Sequence, residues 1–183
     1  MRNCPTIRPS KTKENAGADF KYSYSYEAAG FLLKNFVPAW RVEMEKYFSL
    51  ILFNFLFSNG DAHLKNFSLL ETASGDYILS PAYDLINTRL HIDDSDFALD
   101  RGLFDDNFKS NYYQKTGHPG KTDFVELAKR LEMSENRTEK LLSPFFKKHT
   151  EVEKMIKNSF LSEQNQRGYY LMYQTRLNFL SEK

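Results

Sequence analysis

The chain has 183 residues, 41% hydrophobic and 15% aromatic, enough for one core of ordinary size and short for two. Lys and Arg number 25 against 24 for Asp and Glu, a formal charge of +1, so no global basic field points to nucleic acid or an anionic membrane as partner. One cysteine, Cys4, excludes an intrachain disulfide framework and a thiolate metal cage, and fits a cytoplasmic location.

Residues 1–19 contain two prolines, scattered charges and no apolar period, and read as a disordered or extraneous tail ahead of one unit over 20–183. No apolar stretch of signal-peptide type follows the N-terminal charges. SYSYEAAGFLLKNF (23–36) predicts a short helix capped near Ser25. Pro38 suits the first position of a long helix to about residue 58, since its missing N–H is not needed there. AWRVEMEKYFSLILFNFLF turns apolar all round toward its end, the mark of a helix buried on every side. Its apolar run, 48–57, includes Asn54 and falls well short of the roughly 20 residues needed to cross a bilayer.

The helix is expected to stop at Asn59-Gly60. FSLLE (67–71) and DYILS (76–80), separated by TASG, have hairpin length and a turn of small residues. From Pro81 to Pro119 the pattern is irregular and rich in aspartate. Asp93, Asp94, Asp96, Asp100, Asp105 and Asp106 match no EF-hand register, which needs Gly at its sixth position and Glu at its twelfth; a solvated loop is expected there. Three helical patterns follow, near 121–132, 135–159 and 162–181, and in the last Tyr170, Tyr173, Leu177 and Leu180 form one core-facing stripe. The fold class is mainly α with one small β-hairpin.

The chemistry lies between the buried helix and the hairpin, in SNGDAHLKNF (58–67), with a second acid, Asp84, in SPAYDL. Asn59, Gly60 and Asp61 alone would also suit a plain turn, and His63 alone a structural histidine. Asp61, Asn66 and Asp84 taken together are better matched to catalysis. Carboxylate and carboxamide oxygens are hard ligands suited to Mg²⁺ completed by nucleotide phosphates, a role for Asn66 and Asp84. Asp61 is then free to orient a hydroxyl nucleophile and accept its proton.

D-x-x-x-x-N, a hairpin, then an Asp beside an aromatic is the catalytic-loop and metal-acid pattern of the protein-kinase-like superfamily. FNFLFSNGDAHLKNFSLL and YILSPAYDLINTR resemble the HipA-type serine/threonine kinases, the toxin kinases of bacterial toxin–antitoxin pairs, and FKYSYSYEAAGFLL and DFVELAKRLEMS are similar to that family as well. The resemblance covers most of residues 20–180. It implies Asp61 as the catalytic acid, and His63, Lys65 and Asn66 along a loop facing nucleotide and metal. It places Asp84 on the metal and Tyr83 beside the nucleotide. ATP and Mg²⁺ are the implied cofactors, a protein hydroxyl the acceptor, and a helix-turn-helix antitoxin an implied partner.

Two departures stand out. Lys65 lies four positions after Asp61, where many eukaryotic protein kinases place a loop lysine two after the Asp. The 60 residues up to Gly60 hold three glycines, at 17, 30 and 60, and no glycine-rich phosphate loop. The expectation is therefore a kinase C-lobe with the N-lobe absent, the missing lobe being a separate polypeptide or lost by truncation. Apolar surface is then expected near Phe31–Phe36 and on the hairpin. Two alternatives stay open: a small-molecule phosphotransferase, since G-D-x-H-x-x-N also occurs in such loops, and a non-catalytic helical module that binds an antitoxin-type partner.

Overall fold

A computed structural model describes residues 18–182. The tail expected at 1–19 lies outside these residues except for Ala18 and Asp19, which open a 3₁₀ turn, Ala18–Tyr22. Helix α1 is Tyr26–Phe36, and Ser25 caps it as its sequence predicts, its Oγ accepting from the Ala28 N–H at 3.0 Å. Helix α2, Trp40–Leu56, begins two residues later than the proline suggested, because Pro38 sits in the tight turn that precedes it. It ends where Ser58 takes a left-handed backbone, φ +56°, and cannot continue the helix.

Helix α2 is the centre of the molecule. Met44, Tyr47, Phe48, Ile51, Leu52, Phe55 and Leu56 are all buried along it, as an all-round apolar helix requires. Against it pack α1, the hairpin and two later helices, α5 (Glu135–Leu142) and α7 (Glu163–Leu180). The hairpin strands β1 (Leu69–Glu71) and β2 (Tyr77–Leu79) are antiparallel with Leu69 opposite Leu79 and Leu70 opposite Ile78. Gly75 closes their turn at φ +84°, a conformation that costs a side chain dearly. Buried Glu43 of α2 reaches the hairpin, accepting from the Leu79 N–H at 3.0 Å.

The aspartate-rich segment is not the solvated loop its composition predicted. Phe97, Leu99, Leu103 and Phe104 enter the core, and the backbone runs beside the approach to α1, with Asp100 N–H on the Tyr22 carbonyl (2.8 Å) and Tyr26 N–H on the Gly102 carbonyl (3.0 Å). Asp96 is almost wholly enclosed. It pairs with Arg176 of α7, and lies 2.8 Å from His118 Nδ1 and 3.6 Å from Arg89. The composition concealed this because the partner that encloses Asp96, Arg176, lies 80 positions away.

Two short helices, α3 (Asn111–Thr116) and α4 (Lys121–Arg130), follow. The helix predicted over 135–159 is divided. Pro144, which has no N–H to donate and crowds the preceding turn, sits in a 3₁₀ turn, Ser143–Phe146, that separates α5 from α6 (Thr150–Lys157). In α7 the tyrosine–leucine stripe is core as expected, with Tyr173 and Leu180 buried and Tyr170 and Leu177 packed against them. Among the described residues no helix is long and apolar enough to cross a membrane.

Candidate active site

The site begins inside α2. Asn54, a carboxamide among phenylalanines, donates to the Leu50 carbonyl at 2.9 Å and offers its own oxygen to Asn59 Nδ2 at 2.8 Å. Asn59, buried just beyond the helix, then serves both acids. Its Nδ2 also donates to the Asp84 carbonyl at 3.0 Å, and its Oδ1 accepts from the Asp61 N–H at 3.2 Å. One side chain thus fixes the backbone under Asp61 and under Asp84, which lie on either side of the hairpin in the chain.

Further contacts make this loop rigid. Gly60 N–H donates to Thr88 Oγ1 at 2.9 Å. A Cβ on Gly60 would lie 2.4 Å from Asp94 Cβ, so the loop can approach the 88–96 segment this closely only as glycine. Tyr26 of α1 donates to the Ala62 carbonyl at 2.8 Å, and Tyr47 of α2 donates to the Tyr26 carbonyl at 2.9 Å. Burial pushes both phenols above the usual tyrosine range, which keeps them protonated as donors.

The predicted site residues fall into two groups. In the first, the Asp61 carboxylate is two-fifths exposed, accepts from Tyr22 Oη at 3.0 Å, and lies 3.8 Å from Lys21 Nζ and 3.9 Å from His63 Nε2. His63 stands edge-on to Tyr22, with 5.6 Å between ring centroids, and its Nδ1 is buried without a partner among the described residues. The ring sits mostly under the surface instead of standing out along the loop. Burial, then the Lys21 charge, holds the imidazole below its ordinary value. The neutral ring is therefore favoured, and acidification through its normal titration range costs stability, because the unfolded chain binds that proton more readily.

In the second group, Asn66 Nδ2 donates to Asp84 Oδ2 at 2.8 Å, and Asn66 Oδ1 is buried with no partner among the described residues. Asp84 is exposed and holds a left-handed backbone, φ +56°, a conformation Asp tolerates better than most residues but still at a cost. Tyr83 bonds Ser68 Oγ (2.7 Å) and the Lys65 carbonyl, tying the chain before Asp84 to the loop after Asp61. The Lys65 side chain is exposed and has no ion pair among the described residues. No hydrogen bond among the described residues joins the Asp61 and Asp84 carboxylates.

Sequence reasoning missed Lys21, Tyr22, Asn59 and Thr88. Lys21 and Tyr22 meet Asp61 across 39 or 40 positions with no periodicity to reveal it, whereas two asparagines at 54 and 59 beside a buried apolar run were a readable signal of an internal polar brace.

A cation fits the second group on its donor chemistry. Asp84 supplies an anionic oxygen and Asn66 a buried carboxamide oxygen lacking a partner, both hard ligands. Among the described residues no cluster of three or more His, Cys, Asp or Glu side chains could hold a metal alone, so other oxygen donors are needed.

Comparison with known proteins identifies the family. The HipA-like C-terminal domain family matches residues 11–155. "Putative kinase Y4dM" of Sinorhizobium fredii (strain NBRC 101917 / NGR234) is 33% identical over 93 residues, 51% of this chain and 21% of that protein. A "Putative kinase" of Haemophilus influenzae (strain ATCC 51907 / DSM 11121 / KW20 / Rd) is 23% identical over 181 residues, 90% of this chain and 50% of that protein. The chain therefore spans half or less of the length of these curated relatives. HipA in the Shewanella oneidensis MR-1 complex of HipA, HipB and operator DNA shares the fold, with a TM-score of 0.53 and 22% identity over 91% of this chain and 39% of that one. The sequence match over most of its length and the shared fold agree: the chain belongs to the HipA-like C-terminal domain family.

Proposed function

We propose that this chain is the catalytic lobe of a serine/threonine protein kinase that transfers the γ-phosphoryl group of ATP with Mg²⁺. The observation that carries this reading is the single carboxamide, Asn59, bracing both a part-exposed Asp61 and an Asp84 whose carboxylate accepts from Asn66, a residue whose Oδ1 is buried with no partner among the described residues. Such a frame holds a proton acceptor and a metal-binding pair in fixed relation before any ligand arrives, the preorganisation phosphoryl transfer depends on.

Asp61 would accept the proton of the acceptor hydroxyl as that oxygen attacks phosphorus. Asn66 and Asp84 would hold Mg²⁺, which when bound offsets the charge of the nucleotide phosphates. His63 underlies the loop, and Tyr83 and Lys65 border the nucleotide side. The described residues contain no glycine-rich phosphate loop, and apolar side chains stand exposed on α1, on the hairpin and beside Asp84. Phe31 and Phe36 of α1, the cross-strand pair Leu70 and Ile78, and Tyr83, Leu85 and Ile86 beside Asp84 are all in this class. A second lobe, on this polypeptide or another, would cover that surface and complete the nucleotide clamp. By analogy with the HipA–HipB–operator complex, an antitoxin-type protein is the expected partner, and DNA contact would run mainly through that partner, given the near-neutral charge here.

The test is Mg²⁺-dependent nucleotide binding by calorimetry on the intact protein, with Asp84→Asn as the diagnostic variant. Asn at 84 can keep the contact to Asn66 but loses the anionic ligand, so binding of Mg²⁺ and ATP is expected to weaken by about 10-fold or more while the fold is retained. Equal affinity in both proteins would remove Asp84 from the metal site. Transfer to proteins but not to small hydroxyl compounds, from labelled ATP, would separate the protein-kinase reading from a small-molecule phosphotransferase.

A further inference from the structure

The positive charge beside Asp61 comes from outside the catalytic loop. Asp61 and Asp84 both carry negative charge, and a nucleotide would bring more. Lys65, the loop's own cation, pairs with neither carboxylate. Lys21 does: its Nζ lies 3.8 Å from Asp61 Oδ1 and 4.5 Å from the centroid of the Tyr22 ring, on a side chain about one-quarter exposed. The ammonium is held above the usual lysine range, chiefly by the Tyr22 phenol, against the cost of burial, with Asp61 and then Asp84 adding to the effect. The same charge helps keep His63 neutral. Lys21 is therefore felt by both acids and by the histidine between them.

The position of this lysine is built, not incidental. It sits in the 3₁₀ turn Ala18–Tyr22, whose last carbonyl accepts the Asp100 N–H at 2.8 Å, so the turn is tied to the segment packed along α1. Tyr22 donates to the same Asp61 oxygen that Lys21 approaches. The two residues hold one carboxylate from one side, leaving Oδ2 toward His63.

We propose that Lys21 contacts the terminal phosphoryl group of the bound nucleotide, and that Tyr22 is a positioning residue that sets the Asp61 carboxylate. This assignment rests on the phosphotransferase reading above. In the transfer, the acceptor oxygen forms a bond to phosphorus as the bond to the leaving ADP oxygen breaks, and the acceptor proton passes to Asp61. Lys21 stays protonated throughout and gives up no proton. Its charge offsets the repulsion between the Asp61 carboxylate and an incoming phosphate, a service Tyr22 cannot supply.

The binding signature separates this role from a structural one, because ADP lacks the group Lys21 would touch. With Mg²⁺ and the intact protein, Lys21→Met is expected to weaken a non-hydrolysable ATP analogue at least about 10-fold and leave ADP affinity unchanged. Lys21→Gln should behave the same way, and Lys21→Arg should restore most of the analogue affinity. Tyr22→Phe should leave both affinities alone and lower kcat without raising the KM for ATP. Wild-type analogue affinity in Lys21→Met, or an equal loss for analogue and ADP, would overturn the assignment. Should the parent protein, with its second lobe present, bind neither nucleotide, or bind both irrespective of Asp84→Asn, the phosphotransferase reading itself would fall and this one with it.

Discussion

Asp61→Ala is expected to slow phosphoryl transfer by at least about 100-fold, the usual cost of losing a proton acceptor or a positioning group, with little change in nucleotide affinity. The separation of effects follows from the two groups of side chains at the site. The Asp61 carboxylate touches Tyr22, Lys21 and His63, while Asn66 and Asp84, the pair proposed to hold the metal, make their contact without it. Removing the side chain also leaves the main-chain bond from Asp61 N–H to Asn59 in place, so the loop should keep its path. Transfer from labelled ATP to a protein acceptor, in an assembly shown to be active, gives the measurement. A variant that still phosphorylated its target at near the parent rate would take Asp61 out of the mechanism.

The largest stability effect is expected not at that carboxylate but at Asp96. Arg176 is 3% exposed and the Asp96 side chain 8%, and the guanidinium also lies over the Phe55 ring at 4.7 Å and within 3.4 Å of Ser58 Oγ. Asp96→Ala would leave Arg176 enclosed without a counter-charge, a change that costs about 3–5 kcal/mol in comparable buried pairs. Asp93, whose side chain is 97% exposed, offers the control; Asp93→Ala should lie within about 0.5 kcal/mol of the parent. The double variant Asp96→Leu/Arg176→Met should regain much of the loss, since apolar residues of similar volume can replace a buried pair. Denaturant unfolding decides it: an Asp96→Ala loss no larger than that of Asp93→Ala would mean the pair is not stabilising in the way its burial implies. Because Ser58 is the hinge between α2 and the loop, the destabilised protein should also lose the order of its site.

What the sequence disclosed was whatever depends on neighbours close in the chain. Ser25 as a cap, the all-round apolar α2, the hairpin and the stripe on α7 each follow from spacing within one element, and each is present. The loop motif likewise lies within a few residues, and Asp84 was reachable because only a hairpin intervenes. Features built from distant segments were not legible. Asp96 looked like one more surface aspartate until Arg176, 80 positions away, enclosed it. Lys21 and Tyr22 looked like the approach to a helix, and the break at Pro144 was hidden by an apolar period that runs on through both α5 and α6.

The bracing of both acids by Asn59 also bears on how the molecule ages. Asparagine followed by glycine is the pair in which the next main-chain nitrogen most easily attacks the side-chain carbonyl, closing a ring that reopens as aspartate or isoaspartate. Here the Gly60 nitrogen is engaged with Thr88, and the Asn59 carboxamide is pinned at both its nitrogen and its oxygen. The folded protein thus shields the bond arrangement that the reaction needs, while the unfolded chain does not. Each excursion from the native state exposes the one carboxamide whose conversion to an acid would set a new negative charge against the Asp84 carbonyl and Asn54 Oδ1. Chemical wear at this position would accumulate with time spent unfolded, and it would silence the site without touching Asp61, Asn66 or Asp84.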